Sequence, residues 1–462
     1  MKYVSTRGKT DPVSFKEAVM MGLAPDKGLL VPESIPQIQD KLEAWKSLSY
    51  TDLAFEIMSL FTTDMPDEDL KKLIATSYST FDADEVTPVV KAGDKYILEL
   101  FHGPTLAFKD VALQFLGNMF EYILEEQGGE LNILGATSGD TGSAAIYGVR
   151  GKDNINIFVM HPHNRVSPVQ ERQMTSVLDS NVYNIAIDGS FDDAQSILKE
   201  TFADLDFKNE HSLGAVNSVN WCRILGQVVY YFYGAFRVQE ETGAEKVQFS
   251  VPTGNFGDIF AGYIAYMMGA PIQKLILATN ENDILNRFFN TGKYEMGDVN
   301  LTISPSMDIQ IASNFERWCY FHFDKDSVKL TELFEGFASG QPIAVDKDTN
   351  GAIDPIISAG IGETEGTLAV IKKYWEEHNY LLDPHTAVGV YVAEKIAEDS
   401  TPVICLATAH PAKFKQAIID ATGEDLAHHS KIDGLDTLPT RCEVLPADIN
   451  VIKDYMDKSL TK

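Results

Sequence analysis

Gly135-Ala136-Thr137-Ser138-Gly139-Asp140-Thr141-Gly142 stands between two apolar runs. Residues 131–134 before it read as a buried strand, and residues 144–149 after it read as a helix. A strand, a glycine-bearing turn and a helix form the repeating unit of a parallel sheet, and ligands of such sheets sit at the carboxyl ends of the strands. A helix start carries partial positive charge and unpaired N–H groups, so the turn can hold a carboxylate or a phosphate. The hydroxyls of Thr137, Ser138 and Thr141 add donors there. Taken alone, the octapeptide is equally a tight turn capped by Ser and Thr. It lacks the Gly-Lys-Ser/Thr of a P-loop, the G-x-G-x-x-G of a dinucleotide fold and the G-x-S-x-G of an α/β-hydrolase.

The same rhythm extends in both directions. Residues 155–160, 182–187, 247–251, 275–278 and 403–407 read as strands. Residues 167–178, 191–205, 220–241, 259–268 and 412–421 read as helices. The first part of the chain carries helices at 14–22, 52–61 and 67–78, with loops marked by Pro25, Pro32 and Pro36. Residues 341–366 have no clear period and stay unassigned. The pattern predicts an α/β protein whose parallel sheets are covered on both faces.

Composition narrows the function. The 462 residues are 44% hydrophobic and 23% charged, as in an ordinary folded protein. Lys and Arg number 38 against 67 Asp and Glu, giving a formal charge of -29. Such a surface repels nucleic acid and anionic lipid, so no nucleic-acid or membrane partner is expected. An anionic substrate needs a concentrated donor cluster to bind against that field. Cys222, Cys319, Cys405 and Cys442 lie far apart and form no C-x-x-C pair, which favours a reducing compartment. The start of the chain is polar, and the apolar stretch 259–272 is too short for a membrane span, so a cytoplasmic protein is expected. No metal site is expected. His161 with His163 and His428 with His429 lack metalloprotease spacing and read as exposed or capping residues.

Three further segments carry chemistry. Pro252-Thr253-Gly254-Asn255-Phe256-Gly257-Asp258 follows a strand and opens an apolar helix, a second anion cradle or a structural turn capped by Asp258. Leu406-Ala407-Thr408-Ala409-His410-Pro411 puts a hydroxyl at a strand end ahead of a Pro-started helix. Leu106-Ala107-Phe108-Lys109-Asp110 holds a lysine among apolar residues ahead of the helical run 111–119. Burial there lowers an amine's pKa and makes it a nucleophile or base near neutrality. The alternative is a lysine that snorkels to water.

Together these segments resemble the fold type II pyridoxal-phosphate enzymes, and within them the threonine synthase family. The resemblance rests on S-F-K-E-A and G-L-A-P-D-K-G-L-L-V-P-E-S-I-P near the start. It continues through E-L-F-H-G-P-T-L-A-F-K-D, G-A-T-S-G-D-T-G, V-P-T-G-N-F-G-D and D-P-H-T-A-V-G, in that order. It implies two doubly wound α/β domains with pyridoxal 5'-phosphate in the cleft between them. By domain, residues 1–90 are an N-terminal segment, 91–120 with 216–462 a large cofactor-binding domain, and 121–215 a small substrate-loop domain.

The resemblance also implies residue roles. Lys109 is the Schiff-base lysine and later moves protons. Phe108, Gly254, Asn255, Phe256, Gly257 and Asp258 line the cofactor site, and Thr408 meets the pyridine nitrogen. Thr137, Ser138, Asp140, Thr141, Asn217, Ser218 and Arg223 meet the substrate. Many relatives have Asn where this chain has Asp140. An ionised Asp cannot donate to the cofactor's phenolic oxygen, so the partner of that oxygen stays open. The implied reaction turns L-O-phosphohomoserine and water into L-threonine and phosphate, in a monomer or homodimer. A phospho-lyase that adds no water, a threonine dehydratase and a cofactor-binding pseudoenzyme are the alternatives. For Arg223 the alternative is a surface pair with a carboxylate.

Overall fold

Along strand Ile272–Thr279, successive side chains point to opposite faces, and both faces are apolar. Leu275 and Leu277 enter the main core with Ile259 and Phe260 of the helix Gly257–Met268. Ile276 and Ala278 pack instead with Met307 and with Val388 and Val392 of the helix Pro384–Ile396. Strand Val403–Ala407 divides likewise: Ile404 and Leu406 face the main core, while Cys405 and Ala407 face a second cluster with Val390 and Ala393. Strands buried on both faces belong to a parallel sheet with helices on two sides. The computed structural model, which describes residues 1–137 and 139–461, contains two such sheets.

The larger sheet has the order Ile357–Ile361, Ile272–Thr279, Val247–Pro252, Val403–Ala407, Lys95–Glu99, Val89–Ala92. Neighbours are parallel except the last two, which form a hairpin. Its two-residue turn needs Gly93, whose φ is 63°. The smaller sheet is wholly parallel, in the order Glu443–Pro446, Val182–Asp188, Ile155–Pro162, Leu131–Ala136, Leu213–Gly214. The first part of the chain packs on the long helix Trp221–Thr242. Tyr3 and Phe61 meet Trp221, and Asn220 donates to the Val19 carbonyl. Two of its helices start at serine caps, Ser14 forming a reciprocal box with Glu17 and Ser49 accepting from the Asp52 N–H.

Several expectations need correction. Residues 412–421 are not one helix: a short 3-10 turn, Pro411–Lys413, ends at Phe414, and the helix Lys415–Thr422 follows. Residues 216–462 do not all join the larger sheet. Glu443–Pro446 pairs with Val182–Asp188, and the helix Ile449–Leu460 inserts Ile452 and Met456 among Phe158, Met160, Ile185 and Ile187. That helix carries its apolar residues one turn apart, and the open face of the smaller sheet is what buries them. A boundary at residue 120 also falls inside the continuous helix Lys109–Gln127. His161 is fully buried on its strand rather than exposed. His429 does cap a helix, accepting from the Lys431 N–H. The unassigned segment 341–366 supplies the edge strand Ile357–Ile361. Among the described residues, no helix is long and apolar enough to cross a membrane.

Candidate active site

Lys109 is the first residue of its helix, and the loop before it is fixed from two sides. Phe108 N–H donates to the Thr408 carbonyl at 2.8 Å, and His410 N–H donates to the Leu106 carbonyl at 3.0 Å. The lysine turn and the Thr408 turn are thereby stitched together. Within the loop, buried Asp110 accepts from the Thr105 N–H and hydroxyl at 2.8 and 2.7 Å. Gly103 is required beside it, because a Cβ there would lie 2.4 Å from the Asp110 side chain. Lys109 Nζ lies 3.5 Å from Ser306 Oγ and 3.9 Å from Asp140 Oδ2. Burial lowers the Lys109 pKa to about 8. Asp140 and Asp110 oppose that shift, and the positive charges of Lys413 and Arg223 reinforce it.

Asp140 comes from the smaller sheet, at the start of the helix Asp140–Val149. Its Oδ1 accepts from Gln170 Nε2 at 2.8 Å and pairs with Lys413 Nζ at 2.7 Å. Its Oδ2 accepts from Ser306 Oγ at 3.4 Å. Burial alone would raise its pKa, but the charges of Lys413, Lys109 and His385 hold it well below the usual carboxylate range. Thr137 spends its hydroxyl inside the same turn, accepting from the Gly139 and Gly142 N–H groups. Thr141 is half-buried at the helix start. Ser138 lies outside the described residues.

The turn after Val247–Pro252 is a second built helix start. Phe256 adopts a left-handed φ of 64° and packs against Phe289 and Phe315, which sets the entrance angle of the helix Gly257–Met268. Gly254 approaches the Ser306 carbonyl so closely that a Cβ would lie 2.8 Å from it. Asp258 turns its carboxylate away, accepting from Tyr230 and Tyr231 hydroxyls at 2.5 and 2.9 Å. What Asp258 offers a ligand is therefore its backbone N–H. Burial raises its pKa to about 6, against the two tyrosine hydrogen bonds. Thr408 is buried at the end of Val403–Ala407, its N–H donating to Thr386 Oγ1 at 3.3 Å.

Before the helix Trp221–Thr242, Asn217 Oδ1 accepts from the Val219 and Asn220 N–H groups and shapes the turn. Ser218 shares a hydrogen bond of 2.8 Å with Ser313. Asn314 Nδ2 donates to both the Ser218 and Asn255 carbonyls, so one side chain ties the two turns. Arg223 is 5% exposed, and its Nε and Nη1 have no partner among the described residues. Burial lowers its pKa to about 10. The expected alternative, a surface ion pair, is not what Arg223 makes.

Four residues in this site escaped the sequence reading: Lys413, Ser306, His385 and Asn314. His385 Nε2 accepts from the Ser306 N–H at 3.2 Å, and its Nδ1 meets Asp383 at 3.0 Å. Asp383 caps its own helix start through His385 and Thr386, which is why D-P-H-T begins that helix. Lys413 did carry a readable signal: Pro411, Ala412 and Phe414 flank it as apolar residues flank Lys109.

The fold and the site are those of a pyridoxal-phosphate-dependent enzyme, and the family model of that description matches residues 82–337. Family models described as threonine synthase N terminus and threonine synthase C-terminal match residues 2–78 and 386–456. The chain belongs to the threonine synthase family. Threonine synthase of Saccharomyces cerevisiae is 46% identical, with 100% of this chain and 98% of that protein covered. Threonine synthase of Pseudomonas aeruginosa is 44% identical, with 99% and 98% covered. The crystal structure of PLP-bound threonine synthase from Brucella melitensis matches with a TM-score of 0.96 at 44% identity, covering 99% of both chains.

Proposed function

We propose that the protein converts L-O-phosphohomoserine and water into L-threonine and phosphate, with pyridoxal 5'-phosphate as cofactor. The observation that carries the reading is Arg223: a buried guanidinium with two nitrogens that have no partner among the described residues, in a chain of formal charge -29. A buried charged donor without a partner is costly, and a substrate phosphate supplies acceptor oxygens to such a guanidinium.

The residues present fit the cofactor. The helix start at 254–258 offers N–H groups and a glycine with no room for a side chain, which suits a phosphate. Lys109 supplies an amine whose lowered pKa leaves much of it neutral near pH 8. Thr408 supplies a hydroxyl rather than a carboxylate for the ring nitrogen, with Phe108 beside the lysine. When bound, the cofactor supplies the electron sink that stabilises negative charge on the substrate carbon. In this reading Lys109 takes the α-proton and gives it up, takes a β-proton once it is again a neutral amine, and returns that proton after phosphate leaves the γ-carbon. Asn217, Ser218, Arg223 and the turn of Thr137, Ser138, Asp140 and Thr141 hold the substrate so that those protons face Lys109. Water is then added at the β-carbon. The protein is read as cytoplasmic and without a nucleic-acid partner, which the four unpaired cysteines and the acidic composition support, and by its resemblance as a monomer or homodimer.

Product analysis tests the reading. The loaded enzyme given L-O-phosphohomoserine should release threonine and phosphate in equal amounts. Phosphate with ammonia and a keto acid would establish the phospho-lyase instead, and an inert phosphohomoserine would leave the dehydratase, which a keto acid formed from threonine would reveal, and the pseudoenzyme.

A further inference from the structure

Two lysines share one carboxylate in this site, and they share it unequally. Lys413 Nζ lies 2.7 Å from Asp140 Oδ1, and its side chain is fully buried. It also donates to the Thr105 carbonyl at 2.8 Å, in the loop that carries Lys109. Lys109 Nζ lies 3.9 Å from the other oxygen, Oδ2, beyond hydrogen-bond distance. Ser306 Oγ stands near both, at 3.5 Å from Lys109 and 3.4 Å from Asp140. Gln170 Nε2 completes the donors to Oδ1.

We propose that Lys413 is a positioning residue: by occupying Asp140 it leaves the Lys109 amine free to act as nucleophile and base. The physical argument starts from burial. A desolvated carboxylate must have a cation, and the nearer of two cations takes it. While Lys413 is that cation, Asp140 has no need to hold Lys109 as ammonium. Without Lys413, the neighbouring amine left to neutralise Asp140 is Lys109, and an ammonium is neither nucleophile nor base. The other charged groups around Lys109 are Arg223 from the helix Trp221–Thr242 and Asp110 from its own helix. His385, from the helix Pro384–Ile396, acts on Asp140. None of these is placed to take the carboxylate as Lys413 does. The inference rests on Lys109 being the cofactor lysine. Borohydride reduction of the loaded enzyme followed by peptide mapping tests that reading separately.

The experiment reads the Lys109 amine itself. The full chain, freed of cofactor, is labelled with an amine-directed reagent over a pH series, and labelling of the Lys109 peptide is followed by mass spectrometry. Lys413→Met should move the labelling midpoint up by about one pH unit or more, a tenfold loss of free amine at a given pH. Lys413→Met combined with Asp140→Asn should restore the parent midpoint or fall below it, since the carboxylate that captures Lys109 is gone. Lys413→Arg, which keeps the charge, should stay near the parent. Lys413→Gln carries the same test as Lys413→Met and keeps a donor for the Thr105 carbonyl if the Met variant misfolds. An unchanged or lowered midpoint in Lys413→Met would overturn the proposal. So would an equal rise in the single and double variants, because the effect would then not run through Asp140. Loss of fold in both neutral variants, seen by circular dichroism, would reduce Lys413 to a structural support and overturn it as well.

Discussion

Lys109 begins a helix, and its ammonium form is disfavoured by burial more than its neighbours restore it. This is a residue whose chemistry follows from where it stands. Lys109→Ala should bring turnover to background, since the fully buried Lys413 is committed to Asp140 and the Thr105 carbonyl. Near-normal threonine formation by the Ala variant would remove Lys109 from the mechanism. Arg223 makes the second prediction at this scale. A desolvated charged hydrogen bond is worth ~1.5–3 kcal/mol, so Arg223→Ala should weaken phosphohomoserine use by at least ~10-fold. Inorganic phosphate should inhibit the parent and barely touch the variant. Equal inhibition of both, with unchanged substrate saturation, would put Arg223 outside the site. Lys109 was legible in the sequence because its apolar flanks are local. The Lys413–Asp140 pair was not, because no local pattern states which carboxylate a distant turn will meet. Asp140 therefore read as a departure from relatives that carry Asn, when it is half of a buried pair.

At the scale of elements, both glycine-bearing turns were legible, since a helix start is specified by the residues on either side of it. What the sequence did not show was orientation. Asp258 reads as a cap or a ligand contact, yet it faces Tyr230 and Tyr231 across a helix–helix contact. That contact has a consequence for pH. The folded-state pKa of Asp258 is raised to about 6, above an unfolded value of about 3.9. A carboxyl with a raised folded pKa costs nothing while protonated in both states. Its cost appears as pH rises through the unfolded value and is complete above the folded one. Asp258→Asn removes that titration. The stability of the Asn variant relative to the parent should therefore improve between about pH 4 and about pH 7, by something on the order of 2 kcal/mol. Thermal melts of both proteins across that range measure it. A difference that is flat with pH, or that turns against Asn as pH rises, would show that Asp258 does not titrate as its surroundings require.

The two large sheets of the molecule meet at their strand ends, and the site exists only where they do. Lys109, Ser306, Lys413, Thr408 and the 254–258 turn belong to the side of the larger sheet, while Asp140 and Gln170 belong to the smaller. Sequence reading found the α/β rhythm but assigned the end of the chain to the wrong sheet. Strand order is long-range, and Glu443–Pro446 is an exposed edge strand with a weak local signal. Its position predicts a remote effect. Ile452 and Met456 are fully buried against the smaller sheet, so Ile452→Ala and Met456→Ala should each cost about 2–5 kcal/mol. That loss falls on the sheet that carries the substrate turn and spares the turn at 254–258. The double variant should therefore keep most of its affinity for pyridoxal phosphate, read by absorbance titration. Threonine formation should fall and become steeply temperature-dependent, because Asp140, Thr141 and their turn ride on the loosened sheet. Parallel loss of cofactor affinity and turnover would mean that the two sheets unfold as one unit. Unchanged turnover at every temperature would mean that the last helix contributes nothing to holding the substrate turn.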